Sequence, residues 1–169
     1  MQCAGFNPIV AAEPKVVILG TMPSVASLQA EFYYAHPRNA FWPIMADYFQ
    51  LPVETIQQKR LLIEQSGLAL WDVLQVCQRS GSLDTAIRQP VANAFTALFQ
   101  QYPSLKTVLL NGKAAEKFFK QTVLPKQSLP DPLNIKTLPS TSPANARMNL
   151  EAKKIIWHQA LREAFKSEF

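Results

Sequence analysis

Between residues 33 and 42 the chain gathers Tyr33, Tyr34, His36, Arg38, Asn39, Phe41 and Trp42. Aromatic faces stack on planar rings, and amide and imidazole groups supply hydrogen bonds beside them. A hydrophobic core has no use for that mixture, whereas a site that stacks a flat polar ligand needs it. Three other stretches share the neutral polar character: GTMPS at residues 20–24, Asn111-Gly112-Lys113, and LPSTSPAN at residues 138–145.

Most other chemistries lack their residues. Two cysteines (Cys3, Cys77) and two histidines (His36, His158) stand without ligand spacing, so no metal site is expected. The five glycines match neither a dinucleotide fingerprint nor a phosphate loop, and no Ser–His–Asp set can be built. No cofactor is expected.

With 169 residues, 48% of them apolar, one domain spanning 1–169 is expected. No apolar run approaches the roughly 20 residues of a membrane span. The N-terminal residues lack a basic region followed by an apolar one, so no secretory signal is read there. A cytoplasmic, nucleoid-associated monomer is the expectation. The net charge of +5 suits a polyanionic partner but fits a basic protein without one equally well.

The elements that must position these residues follow from periodicity. Residues 15–19 (KVVIL), 68–73 (LALWDV), 107–110 (TVLL) and 135–138 form four short buried strands. Helices are predicted over 24–32, 43–49 with Pro43 in the first turn, 54–65 with Ile56, Leu61 and Leu62 inward, 92–101, and 113–121. Residues 1–14 read as a lead-in, 79–83 as a loop with Asp84 as a helix cap, and 124–132 as a loop. A last helix spans 143–165, capped by Ser142 with Pro143 at its first position. Alternating strands and helices predict a three-layer α/β/α sandwich around a four-stranded parallel sheet. In such a sheet the crevice lies beyond the carboxyl ends of the strands, where the polar stretches converge.

GTMPS, YYAHPRNAFWPI, ALWDVL, LLNGKAA and LPSTSPAN, in that order, resemble the uracil-DNA glycosylase superfamily, and most of all its hypoxanthine-DNA (deoxyinosine) glycosylase branch, family 6. The AHPRNAFW and LPSTSPAN blocks are the specific ones. The resemblance implies the corresponding α/β fold and a monofunctional hydrolase acting on double-stranded DNA that carries a deaminated base. Such an enzyme extrudes the nucleotide, holds the base by stacking and edge hydrogen bonds, and hydrolyses its N-glycosidic bond.

The resemblance also implies roles. Tyr34 is the stacking ring, with Tyr33 as packing. Many members place an Asp or Asn two residues after the first motif's glycine; Met22 stands there and cannot hold a water. The catalytic role therefore falls on Asn39, whose side chain on spacing alone would cap the following turn. Gly20 and Met22 border the base, and Asn111 reads its edge while serving the turn before Gly112. Ser24, Ser140, Thr141, Ser142, Asn145, Arg38, Arg147 and His36 are DNA-contact candidates, His36 equally a loop pin. Two other readings stay open: uracil or mismatched-pyrimidine excision on the same fold, and a non-catalytic module binding damaged DNA or a free base.

Overall fold

The computed structural model describes residues 1–166. In chain order these form β1 (Gln2–Ala4), β2 (Ile9–Val10), β3 (Val16–Gly20), α1 (Val25–Ala30), α2 (Phe41–Phe49), α3 (Ile56–Gln65), β4 (Leu68–Asp72) and β5 (Leu74–Gln78). There follow β6 (Arg88–Ala92), α4 (Phe95–Gln101), β7 (Thr107–Asn111), α5 (Lys113–Thr122), β8 (Asn134–Leu138) and α6 (Leu150–Lys166).

The four expected strands run parallel in the order β4-β3-β7-β8, with Ile18 paired to Leu70 on one side and Leu109 on the other. Successive β3 side chains serve opposite faces, as the pleat requires. Val17 and Leu19 join Val108, Leu110, Phe95 and Phe119 in one core, beneath α4 and α5. Val16 and Ile18 join Leu109, Phe41, Ile44, Leu62 and Trp157 in the other, beneath α2, α3 and α6. The layered α/β/α architecture is thus the expected one.

The sheet also has a fifth strand. Residues 1–14 are not a plain lead-in: β2 pairs antiparallel with β4 at the sheet edge, and β1 pairs with β5. A two-residue strand leaves no periodic signature in sequence. A second, antiparallel sheet, β1-β5-β6, was likewise not anticipated. Pro90 lies inside β6, where a helix break was expected; β6 is an edge strand, so proline's missing N–H costs no ladder bond. Asp84 begins a three-residue 3₁₀ turn rather than capping an α-helix.

Two helices differ in detail. The buried stripe of α3 is Leu62 and Ile63, while Ile56 and Leu61 are about half exposed; Thr55 and Gln58 close a capping box that starts the helix at Ile56. The C-terminal helix starts at Leu150, not Pro143; the Asn149 side chain accepts from the Ala152 N–H and caps it. Ser142 instead sits in a chain of tight turns over residues 140–148. Those residues therefore have no helix terminus with which to attract an anion. Among the described residues no helix is long and apolar enough to cross a membrane.

All four parallel strands end at one edge of the sheet, at Gly20, Asp72, Asn111 and Leu138. Just past β7 the chain turns at Gly112, whose φ of 99° is closed to ordinary side chains and whose Cβ would lie 2.9 Å from Ser140 Cβ. Gly112→Ala is therefore expected to destabilise the fold by about 1–3 kcal/mol, read as a lower denaturant midpoint at unchanged slope.

Candidate active site

At that edge a cleft opens. Gly20, Thr21 and Met22 leave β3 along one side, followed by Ser24 at the start of α1. Tyr33, Tyr34 and Asn39 border it from the loop before α2, and Asn111, Ser140, Thr141 and Ser142 from the opposite wall. Asp72 ends β4 against it, and Ser82 and Asp84 close it from the β5–β6 connection. Of the residues singled out in the sequence, the structure brings together Gly20, Met22, Ser24, Tyr34, Asn39, Asn111, Ser140, Thr141 and Ser142. It does not bring in His36, Arg38, Asn145 or Arg147. Arg38 and Asn145 instead line an adjoining groove with Pro143, Met148 and Lys153, a groove that Asn39 also borders. Arg147 is exposed.

Hydrogen bonds lock the opposite wall. Asn111 Nδ2 donates to Thr141 Oγ1 at 2.9 Å, and the Thr141 N–H donates back to Asn111 Oδ1 at 2.9 Å. Asn111 is buried and Thr141 is 1% exposed, so water does not compete for either bond. The Thr141 carbonyl in turn accepts from the Ala40 N–H at 2.9 Å, which ties the loop before α2 to the same point. From behind, Trp157 donates to the Pro139 carbonyl and the buried Lys153 Nζ to the Ser142 carbonyl. Burial pushes the Lys153 ammonium below its ordinary range. Within the loop, Asn145 Nδ2 donates to the Ser140 carbonyl. Asn111 thus has one N–H and one lone pair left for any ligand.

The two tyrosines divide clearly. Tyr33 is 3% exposed; its hydroxyl donates to the Asn7 carbonyl and its own carbonyl accepts from the Trp42 indole. Tyr34 lies nearly parallel on Phe41, centroids 4.2 Å apart. Its φ of 52° is the left-handed conformation that bulky residues rarely adopt, at a cost of about 1–3 kcal/mol. Its hydroxyl is shut off from solvent, and the Asn111 side chain is the hydrogen-bonding group that faces it.

Asn39 is held by its surroundings. Its Oδ1 accepts from the Phe41 N–H at 2.9 Å, and its own N–H donates to the His36 carbonyl. The His36 Nδ1 accepts from the Arg38 N–H, so the imidazole pins the turn that presents Asn39. Ser24 Oγ caps α1, accepting from the Ser27 N–H. Among the described residues no three His, Cys, Asp or Glu side chains gather as a metal site.

One residue of the cleft carries a signal the sequence reading passed over. Asp72, within the quoted ALWDVL, is 4% exposed, and its Oδ2 has no hydrogen-bond partner. Burial, reinforced by the Asp84 charge and opposed by Arg79, raises its pKa to about 7. Arg79 is itself buried and donates to the Pro23 carbonyl, with Nε and Nη1 unpartnered. A Cβ on Gly20 would meet Asp72 Oδ1 at 2.6 Å and the Tyr34 hydroxyl at 2.8 Å. Only glycine lets both groups approach the end of β3. An aspartate closing an apolar strand was the available clue.

A family model described as the uracil DNA glycosylase superfamily matches residues 8–163. A Methanosarcina barkeri protein named hypoxanthine DNA glycosylase is 30% identical over 164 residues, covering 96% of this chain and 99% of that one. One of the same name from Methanosarcina acetivorans is 29% identical over 160 residues, covering 94% of this chain and 97% of its own. The solution NMR structure of a candidate uracil DNA glycosylase from Methanosarcina acetivorans superposes with a TM-score of 0.78 at 26% identity, over 98% of this chain and 99% of that chain.

A carboxyl whose pKa rises on folding keeps a proton that the unfolded chain releases, so it subtracts stability as pH rises from about 4 to about 7. Asp72→Asn is expected to melt higher than the wild type, with the gap opening over that window and constant above it. Calorimetric melting across pH checks this; parallel curves would place the carboxyl's titration in its ordinary range. Gly20→Ala should fold with a lower melting temperature, because its methyl displaces Asp72 or Tyr34.

Proposed function

The chain belongs to the uracil-DNA glycosylase superfamily, and from that membership we propose that it is a monofunctional DNA glycosylase that removes hypoxanthine from double-stranded DNA. Two relatives carrying the hypoxanthine DNA glycosylase name over nearly their whole length support the substrate class. The observation that carries the reading in this chain is the shared cleft of Tyr34 and Asn39, from one loop, with Asn111 from a strand end far along the chain.

In this mechanism the duplex opens at the lesion and the nucleotide swings into the cleft. Unstacking costs a few kcal/mol, least for a poorly paired base. Tyr34, backed by Phe41, stacks on the base, and its left-handed backbone is strain held by the surrounding packing. The N-glycosidic bond breaks with its electron pair leaving on the base, and positive charge develops on the sugar. A water then bonds to the anomeric carbon and gives up a proton, which ends on the released base. Asn39 aligns that water through the lone pair of Oδ1 that Phe41 leaves free. An amide is no general base, so its contribution is orientation.

Ser24, Ser140 and Ser142 at the cleft rim, and Arg38 and Asn145 in the adjoining groove, are the proposed contacts to the DNA backbone. They position the duplex rather than read its sequence. His36 acts through Asn39, by fixing its turn. Among the described residues no lysine borders the cleft to form a Schiff base with the sugar, which fits hydrolysis without strand cleavage.

Base release from duplexes carrying a single hypoxanthine, uracil or xanthine tests the proposal. The wild type should release hypoxanthine, and Asn39→Ala should lose at least about 10²-fold in rate with duplex affinity retained. Release of uracil alone would overturn the substrate assignment, and duplex binding without release would overturn the enzyme reading.

A further inference from the structure

The Asp72 carboxyl is unexplained by the roles above. A buried carboxyl without a partner is costly and is retained where something satisfies it. It lines the cleft floor, beside Gly20 and the hydroxyl of the stacking residue Tyr34. That hydroxyl faces the Asn111 side chain, which leaves the Asp72 Oδ2 as the floor group without a partner among the described residues. Asn111, on the opposite wall, is fixed by its two bonds to Thr141 and keeps one N–H and one lone pair, so it can share the base edge with Asp72.

Resting on the glycosylase reading, we propose that Asp72, in its protonated form, binds the hydrogen-bonding edge of the extruded base. Hypoxanthine presents N1–H, a donor, next to O6, an acceptor. A neutral carboxyl matches both, its C=O accepting from N1–H and its O–H donating to O6. A carboxylate has only acceptors and would set a negative charge against O6. The charged and titratable groups facing Asp72 keep the neutral form within reach. Asp84 disfavours ionisation from the β5–β6 connection, Arg79 at the start of that connection opposes it less strongly than burial favours it, and Tyr33 and Tyr34 bring only neutral phenols from the loop before α2. Around neutral pH, Asp72 therefore still offers the donor that O6 requires.

Single-turnover release of hypoxanthine from a duplex, measured with enzyme in excess over duplex but below saturation from about pH 5 to pH 9, tests the role. Wild-type release should fall above about pH 7, approaching tenfold per pH unit. Asp72→Asn keeps a donor and an acceptor that do not titrate, so it should stay within about tenfold of the wild type at neutral pH and lose that fall. Asp72→Leu should lose about a hundredfold or more while still binding duplex. Asp84→Asn should move the fall to lower pH, because it removes a charge that holds the Asp72 proton.

Several results would overturn the proposal. A Leu variant as active as the wild type would remove Asp72 from base binding. An Asn variant as inactive as the Leu variant would make Asp72 a proton acceptor rather than an edge reader. A fall above pH 7 that persists in Asp72→Asn would place the titrating group elsewhere. In each case active wild-type protein leaves the glycosylase reading standing, whereas a wild type that releases no hypoxanthine at any pH overturns both.

Discussion

The cleft depends on one reciprocal pair, the Asn111 amide and residue Thr141. Two hydrogen bonds, both buried, join the end of a central strand to a loop thirty positions further on. The Thr141 carbonyl extends the join to Ala40 and so to the turn that carries Asn39. Two loops with little regular structure of their own are thereby fixed to one strand end. Removing a single partner from such a pair leaves a buried group unsatisfied, at about 1–3 kcal/mol, so the arrangement is close to all-or-none.

Around that point the site is neutral and polar on its walls and aromatic on one side. Among the described residues its carboxyls are Asp72 and Asp84, which meet the cleft from the side of the small antiparallel sheet. The walls present neutral hydrogen-bonding groups, and the serines Ser24, Ser140 and Ser142 stand among them. The unpartnered Asp72 Oδ2 on the floor is stability given up. Together with the left-handed Tyr34 it marks where the fold departs from its own packing optimum.

Much of the scaffold was legible in the sequence. Runs such as VVIL and VLL are apolar along their whole length because parallel strands are covered on both faces, and Ala115, Phe118 and Phe119 show their inward side by helical spacing. Signals that span three residues or fewer were not legible. The strands β1 and β2 are too short to show a period. Pro90 reads as a break until its edge position is known, and the first turn of α6 is set by Asn149, one of several capping candidates between 140 and 149.

For the site, residue types and order alone determined that an aromatic and amide cluster sits beyond a buried strand, and they carried the resemblance that names its chemistry. Only the tertiary structure decided which side chains face each other. It turned Tyr33 into packing and Tyr34 toward the cleft, bound Asn111 to Thr141, and moved Arg38 and Asn145 to a neighbouring groove. It alone exposed Asp72, because a carboxylate's character is set by its distance from water and from other charges. Those distances are fixed when β3 and β4 lie side by side, and no spacing along the chain encodes them.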